Sequence, residues 1–257
     1  MRRDENCKSL IQLIEEETSS KGPDIKSLIM EERYVPYRNI SDRVVSYLDY
    51  FNISYVPEDV RKKIGILSIW IKTVDDRIDD FDCNVGIQVL ERLRDKSEKF
   101  DSETETDEVL YLTELLKKQI EPDRYDNILK SFTELYHAVN TESNSPDIKT
   151  YIKNRKRVGR LTAKLFYEII EPGLQGGLSR FKTLFIELGE LGNMADAAVD
   201  LNMDKEQGIL KFNPRLKDHM RMYMDTIYMG AKTIVKYPGL VSKFYPSIKN
   251  CVKLLLS

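Results

Sequence analysis

Carboxylates recur at helical spacing in two places in this chain: Val74-Asp75-Asp76-Arg77-Ile78-Asp79-Asp80 and Asp196-Ala197-Ala198-Val199-Asp200-Leu201-Asn202-Met203-Asp204. Within each, aspartates stand four residues apart. On a helix that spacing returns side chains to one face, with Cβ atoms roughly 5–6 Å apart. Asp75 pairs in this way with Asp79 and Asp76 with Asp80, while Asp196, Asp200 and Asp204 form a three-step ladder. Like charges so placed destabilise a bare helix by about 0.2–0.5 kcal/mol per pair. The first cluster also falls at the C-terminal end of its expected helix, where the helix dipole favours cations. A hard divalent cation with oxygen ligands offsets both costs. Mg²⁺ takes one or two carboxylates and completes its shell with water or substrate phosphate. The chemistry suggested is Mg²⁺-dependent handling of a phosphate-bearing substrate.

The elements that must position these acids are read from apolar periodicity, which is helical nearly throughout and shows little β alternation. Helices are expected over Lys8–Glu17, Ser41–Phe51, Pro57–Asp80, 108–120, 123–140, Asp147–Ile170, 178–206, 215–235 and 239–255. Residues 95–107, Thr141–Pro146 and Pro172–Gly177 read as loops, from their polar, proline and glycine content. Leu184, Phe185, Leu188, Leu191, Met194, Ala195, Ala198 and Val199 surround the second cluster, so its helix is expected to be largely buried. Met203, Met220, Met222, Met224 and Met229 read as core filler. The expected fold is an all-α bundle of about nine or ten helices, one domain over residues 1–257.

Composition narrows the function classes. A formal net charge of −2 provides no global field for nucleic acid or an anionic membrane. The longest apolar run, Ile64 to Ile71, is far short of the ~20 residues that span a bilayer. Met1-Arg2-Arg3-Asp4-Glu5 leads into polar residues rather than the apolar core of a signal peptide, and a cytoplasmic location is expected. Cys7, Cys83 and Cys251 are isolated and odd in number, which suits a reducing compartment. His137 and His219 share no motif, so a histidine-based zinc site is not expected.

At the acidic clusters the sequence resembles the class I isoprenoid synthase superfamily, and within it the squalene/phytoene synthase family. Asp75-Asp76-Arg77-Ile78-Asp79 resembles the Asp-Asp-x-x-Asp motif of one metal-bearing helix. The stretch from Leu188 to Asp204 is similar to Leu-Gly-x-x-x-Gln-x-x-Asn-x-x-x-Asp-x-x-x-Asp, with Asn193 at the Gln position and Asp196 at the Asn position. The likeness runs on through Gly208 and Pro214, where Lys211 and Phe212 replace an Arg-x-Tyr pattern. Asp196 and Asp200 also fit the Gln-x-x-Asp-Asp-x-x-Asp motif of chain-elongating prenyl transferases. The ladder equally mimics the Asn, Ser, Glu metal triad of terpene cyclases.

The resemblance implies a single helical bundle with a central cavity. It implies Asp75, Asp79, Asp200 and Asp204 as catalytic ligands of a Mg²⁺-diphosphate group, and Asp75, Asp76, Asp79, Asp80, Asp196, Asp200 and Asp204 as the metal-binding set for three Mg²⁺ ions. The basic run around Arg155 and Arg157 suits bidentate phosphate contacts, and Arg155, Arg157, Asn193 and Lys205 are the candidate substrate-binding residues. Tyr34, Tyr37, Tyr47 and Tyr167 are candidates to line a prenyl pocket. The implied activity is ionisation of an allylic prenyl diphosphate. Head-to-head condensation stands first, cyclisation second, chain elongation third and a non-catalytic prenyl-binding bundle last. No nucleic-acid partner is expected, and membrane contact would be transient, to collect a lipid substrate.

Overall fold

The computed structural model describes residues 23–240 apart from 39, 54, 80–83, 96–105 and 175–177, and leaves the side chains of 26, 36, 38, 41 and 79 undescribed. The helical periodicity is realised as α1 (Ile25–Met30), α2 (Val35–Arg38), α3 (Ile40–Tyr50), α4 (Glu58–Asp79), α5 (Val85–Arg94), α6 (Glu108–Lys118), α7 (Tyr125–Ser143), α8 (Ile148–Ile170), α9 (Leu178–Glu206) and α10 (Leu216–Lys236), joined by short 3₁₀ turns. No β-strand occurs among the described residues, so the fold is all-α as expected. No described helix is long and apolar enough to cross a membrane. The helices expected over Lys8–Glu17 and over most of 239–255 lie outside the described residues.

The chain divides into two compact units. The first comprises Met1–Asp49, Ile53–Phe132 and Glu168–Gly176. Its core gathers around α4, which from Ile64 to Trp70 is buried on all sides, as its mostly apolar run requires. Trp70 meets Phe132 edge-on with centroids 5.3 Å apart, and its indole N–H donates to Thr113 Oγ1 at 2.8 Å. The largest buried side chain therefore keeps its polar handle satisfied. Helix α6 contributes Tyr111, Leu112, Leu115 and Leu116 to this core. It starts at Asp107, whose carboxylate accepts from the Val109 and Leu110 amides at 2.9 and 3.1 Å and pairs with Arg77 at 2.6 Å.

The second unit comprises Tyr50–Asn52, Thr133–Tyr167 and Gly177–Ser257. Here α8 and α9 touch backbone to backbone. A Cβ on Gly159 would lie 2.4 Å from the Gly189 carbonyl oxygen, and one on Gly189 would lie 2.5 Å from Ala163 Cβ. Beside this crossing, Ile148, Tyr151 and Ile152 of α8, Met194, Ala197, Ala198 and Leu201 of α9, and Met222 of α10 form one buried cluster. The α9 residues recur at i, i+3, i+4 and i+7, the stripe a helix presents to one core. Phe181 extends the apolar region, meeting Phe51, Tyr167 and Phe185 at centroid distances of 6.4, 6.2 and 5.4 Å.

Four expectations are corrected. Thr141–Ser143 are helical rather than loop, because Thr141, Ser143 and Asn144 side chains donate to carbonyls four residues back and so remain compatible with the helix. Val85–Arg94, where no helix was expected, is one, with Val85, Val89, Leu90 and Leu93 on its buried face. Helix α9 is half-buried along its acidic part, with Val199 43 % exposed. The methionines are not uniformly core: Met222 is buried, while Met220 and Met224 are 60 % and 64 % exposed on the outer face of amphipathic α10.

The crossing predicts opposite outcomes for Gly159 of α8 and Gly192 of α9. Gly159→Ala forces α8 and α9 apart and lowers stability by about 1–3 kcal/mol or more. A Cβ at Gly192 meets nothing within 4 Å, so Gly192→Ala raises stability by up to about 1 kcal/mol through helix propensity. Urea denaturation of both variants is the check; equal effects would contradict the close crossing.

Candidate functional site

The acidic ladder lies at the C-terminal end of α9, and helix geometry explains its graded exposure. Steps of four residues advance about 400°, so each rung drifts ~40° around the axis. The drift runs toward the Met194–Ala197–Ala198–Leu201 stripe. Asp196 is accordingly the outermost rung, its side chain 61 % exposed, while Asp200 and Asp204 are half-buried. Tyr151 of α8, itself buried and tilted against Phe212 at 5.8 Å, donates its hydroxyl to Asp204 Oδ2 at 3.4 Å. Burial foremost, with Glu142 and Asp204 adding to it against Arg155, raises the Tyr151 pKa well above its ordinary value and keeps the phenol protonated as a donor.

The helix ends in a turn that also touches the last rung. Gly208 adopts φ +76°, its amide donates to the Lys205 carbonyl at 3.1 Å, and the Ile209 amide donates to the Asp204 carbonyl at 2.9 Å. This is a Schellman cap with glycine at the left-handed position. It stops α9 just beyond Asp204.

Arg155 organises the flank of the ladder. Its Nη1 donates to Glu142 Oε1 and its Nη2 to Asp196 Oδ2, both at 2.8 Å, and its Nε donates to the Asn193 carbonyl at 3.2 Å. Asn193 Nδ2 returns a hydrogen bond to the Arg155 carbonyl at 2.8 Å. Arg155 and Asn193 each lie four residues from the glycines of the crossing, so the close approach is what brings them into reach. Lys156 adds a 3.0 Å pair with Asp225 of α10.

Glu142 is the buried member of this network. Burial raises its pKa, with the charge and hydrogen bond of Arg155 acting in the other direction. Burial alone would lower the Arg155 pKa, but Glu142, Tyr151 and Asp196 hold it above its ordinary value. Asp196 is thus engaged by arginine, and Asn193 serves as a helix-to-helix clamp. Arg157 and Lys205 are exposed. Glu142 was not singled out from sequence; it lies on α7, beyond a turn, with no local pattern tying it to Arg155.

In the other unit, the first cluster ends α4. Asp76 is paired with Lys72 and with Arg33 Nη1, the latter at 3.0 Å. Asp75 is exposed, and Asp79 closes the helix. The Asp79 side chain and all of Asp80 lie outside the described residues. Among the described residues no three His, Cys, Asp or Glu side chains gather as a metal-binding group. The donor chemistry nonetheless fits a hard cation, since the second cluster presents carboxylate oxygens alone.

Removing Arg155 leaves Glu142 buried without its counter-charge, so Arg155→Ala costs about 3–5 kcal/mol near neutral pH. The sign of its pH dependence follows from the raised folded pKa of Glu142, which rises further once the arginine is gone. Stability in the variant is highest below the unfolded carboxyl value of about 4.3 and falls as pH rises through the folded value. Urea denaturation at pH 5 and pH 8 is expected to give the larger loss at pH 8; equal losses would contradict the assignment. Compared with known proteins, the chain matches no family model, no curated protein and no solved structure.

Proposed function

We propose that the protein is a Mg²⁺-dependent isoprenoid synthase that ionises an allylic prenyl diphosphate, with head-to-head condensation of two prenyl diphosphates as its reaction. The observation that carries the reading is the regular Asp196–Asp200–Asp204 ladder at the end of an unbroken helix, with an arginine held against its first rung. Carboxylates repeated where the helix dipole opposes them cost stability. A metal-binding role accounts for that cost better than surface solvation does.

In this reading Asp75, Asp79, Asp200 and Asp204 hold Mg²⁺, with Asp76, Asp80 and Asp196 completing the acidic set. Mg²⁺, when bound, supplies stabilisation of the negative charge on a departing pyrophosphate. The chain's own groups do the rest. Of the five N–H donors of an arginine, Arg155 uses one each on Glu142, Asp196 and Asn193, and the others remain for a diphosphate oxygen. Arg157 and Lys205 add exposed positive charge. Tyr151 holds the Asp204 carboxylate in one orientation. An apolar pocket beside the metal site would shield the allylic cation from water.

Cyclisation of a single prenyl diphosphate is the second reading, favoured by the i, i+4, i+8 spacing on one helix. Incubation with geranyl, farnesyl and geranylgeranyl diphosphates, with Mg²⁺ or EDTA, separates the two by mass spectrometry of hexane extracts. Condensation gives a product of doubled carbon number and cyclisation a single-chain hydrocarbon or alcohol. Asp200→Asn is expected to keep the fold and lose activity by about 10²-fold or more. Full activity in that variant would sink the proposal.

A further inference from the structure

A cationic groove of about 530 Å³ lies where the first turns of α8 and α10 meet the segment after α9. Lys149, Arg215, Lys217 and Arg221 line it, with two carboxylates, Asp147 and Asp218. Both acids are taken up by first-turn hydrogen bonds. Asp147 accepts from the Thr150 amide at 2.9 Å and from its hydroxyl at 3.1 Å, and Asp218 accepts from the Arg215 amide at 2.9 Å. The amide bond from Thr150 is the main reason the Asp147 pKa lies below its ordinary value. Each acid is engaged at its own helix start.

Four cations against two carboxylates leave the groove a net charge of +2. Among the described residues none of the four cations forms a close salt bridge, and the charge of Lys149 acts on Asp147. Lys217 and Arg221 also stand four apart on one face of α10, a like-charge pair that repels unless an anion lies between them. Two helix N-termini open on the same groove and add partial positive charge. Asn213 supplies an amide donor, and Phe212 an aromatic wall.

From this excess of cations around one groove we infer that it binds a phosphate or diphosphate group without a metal. The ligand is either a soluble phosphate ester or the phosphate of a lipid headgroup. A phosphate oxyanion suits the lining because arginine forks and lysine point charges satisfy several oxygens at once. The inference does not depend on the isoprenoid synthase reading, because it uses none of the acidic residues of that site.

The test titrates the full chain with inorganic pyrophosphate by calorimetry, in EDTA and low salt, beside co-sedimentation with phosphatidylglycerol and phosphatidylcholine vesicles. EDTA removes divalent metal, so failure of the Asp-rich site leaves the result unchanged. The expected result is pyrophosphate binding weakened at least tenfold in Lys217→Glu/Arg221→Glu and lost at high salt. Binding to phosphatidylglycerol vesicles alone, abolished by the same variant, assigns the ligand to a headgroup. Lys149→Ala, on the facing helix, gives the same readout if the double variant does not fold. Absence of binding to both probes, or binding that the folded variants leave unaltered, would overturn the inference.

Discussion

The close approach of α8 and α9 at Gly159 and Gly189 is the constraint on which the second unit depends. Neither position has room for a Cβ. Backbones in such contact bring side chains one turn away into register, and the reciprocal Arg155–Asn193 hydrogen bonds occupy that turn. Arg155 then reaches Glu142 on one side and Asp196 on the other. A buried arginine with a single acid would be a poor contributor to stability, since desolvation rivals the attraction. Three acceptors on one guanidinium change that balance and hold the group in one place.

The acidic ladder depends on the same frame. Its rungs wind from solvent toward the apolar stripe, and the first and last meet different environments: arginine at Asp196, and the protonated phenol of Tyr151 at Asp204. The Schellman cap at Gly208 ends the helix one turn past the last rung. The groove at the first turns of α8 and α10 has the opposite character, with its acids folded into caps and its cations facing outward. The second unit therefore carries an acidic ladder and a basic groove as separate features.

Much of this was legible in the sequence where a residue's role follows from its own helix. The periodicity of 147–170, 178–206 and 215–235 sets those helices nearly to their observed ends, and the four-residue steps place the aspartates on one flank. Partners supplied by another helix were not legible. Glu142 meets Arg155 only because α7 and α8 fold back across a turn. Neither Gly159 nor Gly189 carries a mark distinguishing it from the open Gly192. Burial was overestimated for α9 because an apolar count does not say which flank faces neighbours. Thr141–Ser143 looked like a loop because their hydroxyls favour turns, whereas here they bond within the helix.

The proposed function requires both acidic clusters to serve one metal–diphosphate chemistry. A double-mutant cycle on Asp75→Asn and Asp200→Asn, reading kcat/KM for Mg²⁺-dependent pyrophosphate release from a prenyl diphosphate, tests it most directly. Residues that act as a unit are strongly non-additive. The double variant is expected to be little worse than the poorer single variant. Losses that multiply, or a cluster whose variant releases pyrophosphate at the unmodified rate, would contradict it.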